Sequence, residues 1–343
     1  MAMLDIFSNK PAFSLQTLTE SINKIPPTHS YLGDLGIFET SGVSNINLSI
    51  EERNGMLMLI PDSPRGAQGE TVPREQRKVR PFRCSHKKVR DEILADQVLG
   101  VRMFGSESEL ETPVQKIGER LVDIRRSFEQ TFEFMRVGAC KGVVLDGDGK
   151  RIIYDFFKEF DVQQHTETWS FYTNHNDGTI KRKCVELRRW MNHVIGGTPY
   201  SGLTLLCGDE FYDTIIASDE FRIAYERYEY GRMLRESQFD TGLLYGGVNF
   251  WNYQGWVGDM SFIEPDVAYL VPRGVKGLFK QIYGPADYME TVNTVGIEYY
   301  AKQQVLPFNR GIELEVQSNP FFVCTRPGVL AKITLDPKTK SKA

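Results

Sequence analysis

Long apolar runs are missing from this 343-residue chain: the longest, such as Met56 to Ile60, fall far short of the roughly 20 residues a bilayer span needs. No membrane anchor is expected. The opening residues, Met1 to Lys10, show no charged leader followed by an apolar stretch, so synthesis and folding in the cytoplasm are expected. Cysteine is scarce. Cys84, Cys140, Cys184, Cys207 and Cys324 are odd in number, far apart and free of any CxxC pair, which excludes a disulfide framework and predicts buried free thiols. The five histidines (His29, His86, His165, His175, His193) never stand at i, i+4, so no helix face offers a metal-ligand pair. There is no nucleophile elbow, no HExxH, no GxxxxGK loop and no GxGxxG after a strand. Together these absences leave no catalytic, cofactor-binding or metal-binding residue to nominate.

The chain does carry a globular composition, with 41% hydrophobic and 25% charged residues, which rules out a disordered or fibrous protein. Its formal net charge is -4, so contact with a polyanion must come from a local patch and not from the whole surface. One such patch exists. Between Arg74 and Arg90 stand eight basic residues against the single acid Glu75. Phe82 is the one aromatic there, too little for a base-stacking platform, so an acidic neighbouring protein fits as well as nucleic acid.

This basic run closes a long irregular segment. Ile46, Leu48 and Ile50 alternate with polar residues, the period of a half-buried strand, and Asn54-Gly55 marks a tight turn before a return strand Met56 to Ile60. Residues 61 to 73 are too rich in Pro and Gly for regular structure. A further strand-like run passes through Phe82 to Val89. Two arms and an irregular tip describe a loop projecting from the body, which a compact domain retains only for a function. Before it, residues up to about Val43 show no sustained period and predict an extended arm.

Ser106 and Glu109 have capping-box spacing. After them Leu110, Val114, Ile117, Leu121, Ile124, Phe128, Phe132 and Met135 form one apolar stripe, predicting a spine helix of about thirty residues and on the order of 45 Å. The heptad breaks at Thr131 and Gly138, against a coiled coil. Asp146-Gly147-Asp148-Gly149 begins like a calcium loop, but Arg151 and Phe157 stand where that loop needs Gly and Glu, leaving a hairpin turn. A second helix is predicted over 180 to 195, with Cys184, Leu187, Met191 and Val194 inside, Lys181, Arg182, Lys183, Arg188 and Arg189 outside, and a stop at Gly196-Gly197. A buried strand follows at Leu203 to Cys207, then a helix capped by Asp209 and bearing Phe211, Ile215 and Ile216. Strands are predicted at Leu243 to Phe250, Val267 to Val271, Ile312 to Val316 and Ala331 to Leu335, before a mobile tail. Helices and strands mix without βαβ regularity, so the fold class is α+β.

Two weaker features point to chemistry. Cys84 and His86 share a face of a basic strand, where a lowered thiol pKa would make a reactive cysteine, but no oxyanion feature accompanies them. Tyr225, Tyr228, Tyr230, Phe250, Trp251, Tyr253 and Trp256 suit a sugar platform or, preferably, burial at a subunit interface.

Whole stretches are similar to a known family. The run from Phe13 to Pro27, Leu35-Gly-Ile-Phe, Ile50-Glu-Glu-Arg-Asn-Gly, Pro64-Arg-Gly-Ala, Ala95-Asp-Gln-Val, Val101-Arg-Met-Phe-Gly and Leu145-Asp-Gly-Asp-Gly resemble the lambda-type tailed-phage major capsid protein E family. So do Cys207-Gly-Asp-Glu-Phe, Pro265-Asp-Val-Ala-Tyr, Tyr283-Gly-Pro-Ala-Asp and Asn319-Pro-Phe-Phe-Val-Cys-Thr-Arg-Pro, and the match runs in order from about residue 5 to 335. The resemblance implies the phage capsid fold of the Hong Kong ninety-seven type: an N-terminal arm (1-45), an extended loop (46-90), a peripheral domain with the spine helix (91-180 and 305-343) and an axial domain (181-304). It further implies a non-enzymatic subunit without cofactor, building hexamers and pentamers of an icosahedral shell around double-stranded DNA in the host cytoplasm. The implied partners are a separate scaffold or protease, a portal and decoration proteins. A separate scaffold is expected because no helical segment of about a hundred residues precedes the arm. Arg65, Arg77, Lys78, Arg80 and Arg83 are the expected assembly contacts. An encapsulin-like container, and an enzymatic or sugar-binding α+β protein, stay open as alternatives.

Overall fold

The computed structural model describes residues 15–26, 30–52, 78–98, 113–170, 178–227 and 242–336. Outside them lie the Asn54-Gly55 turn, Met56 to Ile60, the Ser106/Glu109 pair, Leu110, Tyr228, Tyr230 and the tail, as does the side chain of Tyr225. The chain forms helix α1 (Leu15–Lys24), strands β1 (Phe38–Gly42), β2 (Asn47–Glu52), β3 (Lys78–Arg83) and β4 (Lys87–Leu94), and the long helix α2 (Pro113–Lys141). A hairpin β5 (Val143–Leu145) and β6 (Ile152–Asp155) leads to β7 (His165–Trp169), α3 (Thr179–Ile195), β8 (Gly202–Cys207), α4 (Asp209–Ile216) and α5 (Asp219–Arg227). Then come β9 (Leu243–Tyr245), β10 (Val248–Asn252), β11 (Trp256–Val257), β12 (Met260–Ser261), β13 (Val267–Arg273), β14 (Phe279–Tyr283), β15 (Tyr300–Val305), β16 (Gly311–Ser318), β17 (Pro320–Cys324) and β18 (Ala331–Leu335). The class is α+β. No helix among the described residues is long and apolar enough to cross a membrane.

Two units emerge. The first comprises Met1–Leu48, Pro81–Glu133 and Lys280–Phe322, and the second Ser49–Arg80, Phe134–Phe279 and Val323–Ala343. The first is built on the sheets β15-β16-β4 and β1-β14-β17 and on the N-terminal two-thirds of α2. Its core follows the predicted stripe: Ile117, Leu121, Ile124, Phe128 and Phe132 are buried, because residues three and four apart share a helix face. Val114 departs from it, being 50% exposed at the helix start. Around Phe132 gather Tyr299 (5.5 Å, stacked), Tyr283 (5.9 Å), Phe322 (5.7 Å) and Phe128 (6.0 Å).

The expected arm without period contains helix α1. Only Leu18, Thr19 and Ile22 are buried on its three turns, and Thr, Ser and Asn are weak helix formers, so the helix is held from outside. The Ala301 amide of the edge strand β15 donates to Thr19 Oγ1 at 3.1 Å, and Asn23 Nδ2 donates to Tyr299 O at 3.1 Å. Further along, Glu133 of the spine accepts from Ser30 Oγ and, at 2.8 Å, from the Leu32 amide. The described part of the arm is therefore packed and capped by its own unit.

The second unit centres on a mixed six-stranded sheet in the order β7-β18-β13-β8-β10-β9. Strand β8 is buried on both faces from Leu203 to Cys207, as its mostly apolar run, interrupted only by Thr204, predicts. Leu243 to Phe250 is not one strand but an antiparallel hairpin, turned by Gly246 and Gly247 at positive φ. The last turns of α2, from Met135 to Cys140, are almost wholly buried because the hairpin β5-β6 folds back on them; a Cβ at Gly138 would lie 2.9 Å from the Val144 Cα. That hairpin turn is the plain one expected, with Asp148 Oδ1 accepting from the Lys150 and Arg151 amides at 2.9 and 3.0 Å. Helix α3 buries Ile195 in place of the expected Val194, and Asp209 is the first residue of α4, whose N-cap is Gly208. Ile216 faces outward.

Candidate assembly surface at the base of the basic loop

Strands β2 and β3 pair with each other, and residues 53–77 separate them in the sequence. The predicted continuous run through Phe82 to Val89 is broken at Cys84–His86, where the backbone changes partners. The Cys84 amide donates to Ile46 O at 2.9 Å, whereas the next amide, of Ser85, donates to Pro320 O at 3.0 Å. From Lys87 the chain pairs with β16. Asn319, 3% exposed, organises this crossing. Its Oδ1 lies 2.8 Å from His86 Nδ1, its Nδ2 donates to Pro285 O at 2.6 Å, and its carbonyl accepts from the Gly284 amide at 2.9 Å. Two of the stretches that carry the family resemblance, Tyr283 to Asp287 and Asn319 to Pro327, thus meet beside the end of β3.

A cleft of about 440 Å³ opens here, lined among others by Arg83, Cys84, His86, Asp287 and Asn319. Cys84 is not its nucleophile. Burial pushes its thiol up to about 11, so the reactive-cysteine reading fails for want of thiolate. Phe82 is also spent, packed on Phe321 with ring centroids 5.3 Å apart.

The basic run divides by strand. In β4, Lys88 and Arg90 are neutralised across the ladder by β16: Lys88 Nζ and Arg90 Nε each lie 2.7 Å from Glu315 Oε2, and Glu313 is 3.8 Å from Arg90. Burial alone would raise the Glu315 pKa, but hydrogen bonds from Lys88, Gln317 and Arg90 overcome it and hold the carboxyl down at about 2. A depressed folded-state pKa stabilises above the unfolded value, near 4.3, and that stabilisation drains away as pH falls toward 2. Solvent on Arg90 screens the ladder, so a contribution of about 1–2 kcal/mol at neutral pH is expected. Urea midpoints at pH 6 and pH 3 measure it. Glu315→Gln should be the less stable at pH 6, and by roughly half as much at pH 3, where the folded carboxyl is still largely ionised; parallel losses in both proteins would remove the ladder from the account.

The five nominated assembly residues fare differently. Arg65 and Arg77 lie outside the described residues, as does the side chain of Lys78. Arg80 donates to the main-chain carbonyls of Glu159 and Phe160, the latter at 3.3 Å, with its guanidinium 5.0 Å from the Phe160 ring centre. Those hydrogen bonds are made within its own subunit and to carbonyls, not to a carboxylate. Arg83 is exposed on the cleft. Sequence reasoning missed Asn319 and the pairing of β4 with β16, although the outward alternation of Glu313 and Glu315 was a visible signal. Of the aromatic group, Phe250 and Tyr253 are core residues, and Trp256 is 50% exposed.

The phage major capsid protein E model matches residues 14–335. The chain belongs to this family. As a phage major capsid protein it is a structural component of the virion, built from many copies of the chain. Among relatives, it is 26% identical to the major capsid protein of Salmonella phage Felix O1, covering 96% of this chain and 98% of that one. It is 25% identical to the major capsid protein of Pseudomonas phage KPP10, covering 93% and 96%. Solved structures share the fold at lower identity. The structure assigned as the capsid protein of a prophage (E. coli CFT073) has a TM-score of 0.59 at 16% identity, covering 94% of this chain and 99% of that one. The capsid of Ralstonia phage GP4 gives 0.52 at 11%, covering 91% and 93%, which places the capsid protein in the Hong Kong ninety-seven type of fold. As the reading of the whole chain, the encapsulin-like and sugar-binding alternatives give way to the family.

Proposed function

We propose that the capsid protein assembles as hexamers and pentamers into an icosahedral shell around double-stranded DNA, and that it has no enzymatic activity. Assembly takes place in the host cytoplasm with a separate scaffold or protease, a portal and decoration proteins. In this reading residues 1-45 are the arm, 46-90 the extended loop, 91-180 with 305-343 the peripheral domain, and 181-304 the axial domain. The loop overlies a neighbouring subunit, and many weak repeated contacts add to a stable container. What supports the reading is the β2-β3 pair: it brackets a Pro- and Gly-rich stretch with a basic end, at the edge of a cleft bearing Arg83. Arg65, Arg77, Lys78, Arg80 and Arg83 are the loop residues that meet an acidic neighbour.

The test is co-expression with the scaffold and sedimentation of the product. Wild type should run as megadalton particles. Arg65→Glu, Arg77→Glu, Lys78→Glu and Arg80→Glu together should leave soluble capsomers or unassembled chain. Because Arg80 also binds carbonyls of its own subunit, the threefold variant that keeps Arg80 serves as the control for folding and should likewise fail to form shells. Shells of normal size from the fourfold variant would remove the loop from the interface.

A further inference from the structure

Helix α3 displays a cationic face that the fold does not use. Lys181, Arg182, Arg188 and Arg189 are all exposed, and among the described residues no ion pair engages them. Lys183, by contrast, lies 3.3 Å from Glu186 and 3.8 Å from Glu167. At 100° per residue the four cations occupy one arc of the helix, as two adjacent pairs seven residues apart, or about 10.5 Å along the axis.

The helix beneath them is fixed. Ile180, Cys184, Leu187, Met191 and Ile195 are buried, so the opposite face must point outward. At the N-terminus the buried Glu220 carboxylate accepts from the Ile180 and Lys181 amides at 2.9 and 3.0 Å and from the Tyr245 hydroxyl at 2.8 Å. At the C-terminus Arg326 donates to Val194 O and Ile195 O, both at 3.3 Å. Each clamp places a charge where the helix dipole favours it. The cations therefore stand on a rigid rod.

We propose that this face binds the phosphate backbone of double-stranded DNA without reading its sequence; the inference rests on the reading of the chain as a DNA-enclosing shell subunit. Charge complementarity favours this occupant. A duplex carries one negative charge per about 1.7 Å of axis, so both cation pairs meet phosphates in any register. Three of the four are arginines, whose planar fork suits phosphate. A second protein is the poorer occupant, because a protein interface needs an apolar centre from which charges are depleted. This face has none: the other exposed residues between the two pairs and the helix end are Glu186, Asn192 and His193.

The experiment uses the full-length unassembled chain, a short labelled duplex of arbitrary sequence and a salt titration, with Arg182→Ala, Arg188→Ala and Arg189→Ala combined. Wild type should bind with a steep salt dependence. The triple variant should bind at least about tenfold more weakly at low salt, and its slope of log affinity against log salt should be smaller by about 2.7, or 0.9 per lost cation. An unchanged melting temperature confirms the fold. Equal slopes for the two proteins overturn the inference while leaving the capsid reading intact. So does a triple variant that keeps its duplex affinity but no longer forms shells, since the face would then contact protein. Failure of the wild type to form particles with its scaffold would sink the capsid reading itself, and this inference with it.

Discussion

Phe132→Ala is expected to remove about 3–5 kcal/mol from the first unit, the largest loss of any single truncation in its core. Phe132 is fully buried and its ring touches Phe128, Tyr283, Tyr299 and Phe322 at centroid distances of 5.5 to 6.0 Å. Those partners come from the spine helix, from β14, from the residue before β15 and from β17, so one ring ties four parts of the sequence together. Truncation forfeits the transfer of the ring out of water and leaves a cavity that rigid aromatic neighbours cannot fill. Phe132→Leu, which keeps most of the volume, should cost about 1–2 kcal/mol. Urea unfolding followed by far-ultraviolet circular dichroism measures both. A Leu variant as damaged as the Ala variant would mean that ring geometry, not volume, carries the stability.

Arg125→Ala is expected to cost about 3–4 kcal/mol by a different route, the stranding of buried charge. The Arg125 guanidinium is 6% exposed; its Nε donates to Glu129 at 2.8 Å, its Nη1 donates to Ile22 O, and its plane lies 5.1 Å from the Tyr299 ring centre. Removing it deprives the Glu129 carboxylate of its cation and the C-terminal half of α1 of its tie to the spine. Arg125→Met with Glu129→Leu should recover most of the loss, because a buried ion pair contributes little net stability over an apolar pair of similar size. If the double variant is no better than the single, the α1 tie outweighs the stranded charge. Both outcomes are read from the same denaturation curves, and increased proteolysis of the arm would report the second.

Much of the architecture was legible from local pattern. The stripe from Ile117 to Met135 marked the spine because a helix repeats every 3.6 residues, and Ile312, Leu314 and Val316 marked β16 because a strand repeats every two. Local pattern failed where distant chain intervened. Helix α1 went unread because its three turns are stabilised by hydrogen bonds of Thr19 and Asn23 with Ala301 and Tyr299, some 280 positions away. The run through Phe82 to Val89 read as one strand because nothing in it announces that Cys84 pairs with Ile46 while Ser85 pairs with Pro320. Val194 and Ile195 are equally apolar neighbours, and only the packing of α3 chose between them.

By itself, then, the sequence determined the α+β class, the spine, the hairpin turn at Asp146 to Gly149, the free buried cysteines and, through ordered resemblance over most of its length, the family. These are properties of composition, of short periods and of segment order, which need no knowledge of distant contacts. Only the tertiary structure decided which charges are free. Arg90 and Glu315 stand 225 positions apart and meet across a ladder. Arg80 is taken up by carbonyls of its own chain, while the α3 cations, no different in type, find no described ion-pair partner. A charge acts over a few ångströms and is blind to sequence distance, so whether it holds the subunit together or is left for a partner is settled by folding alone.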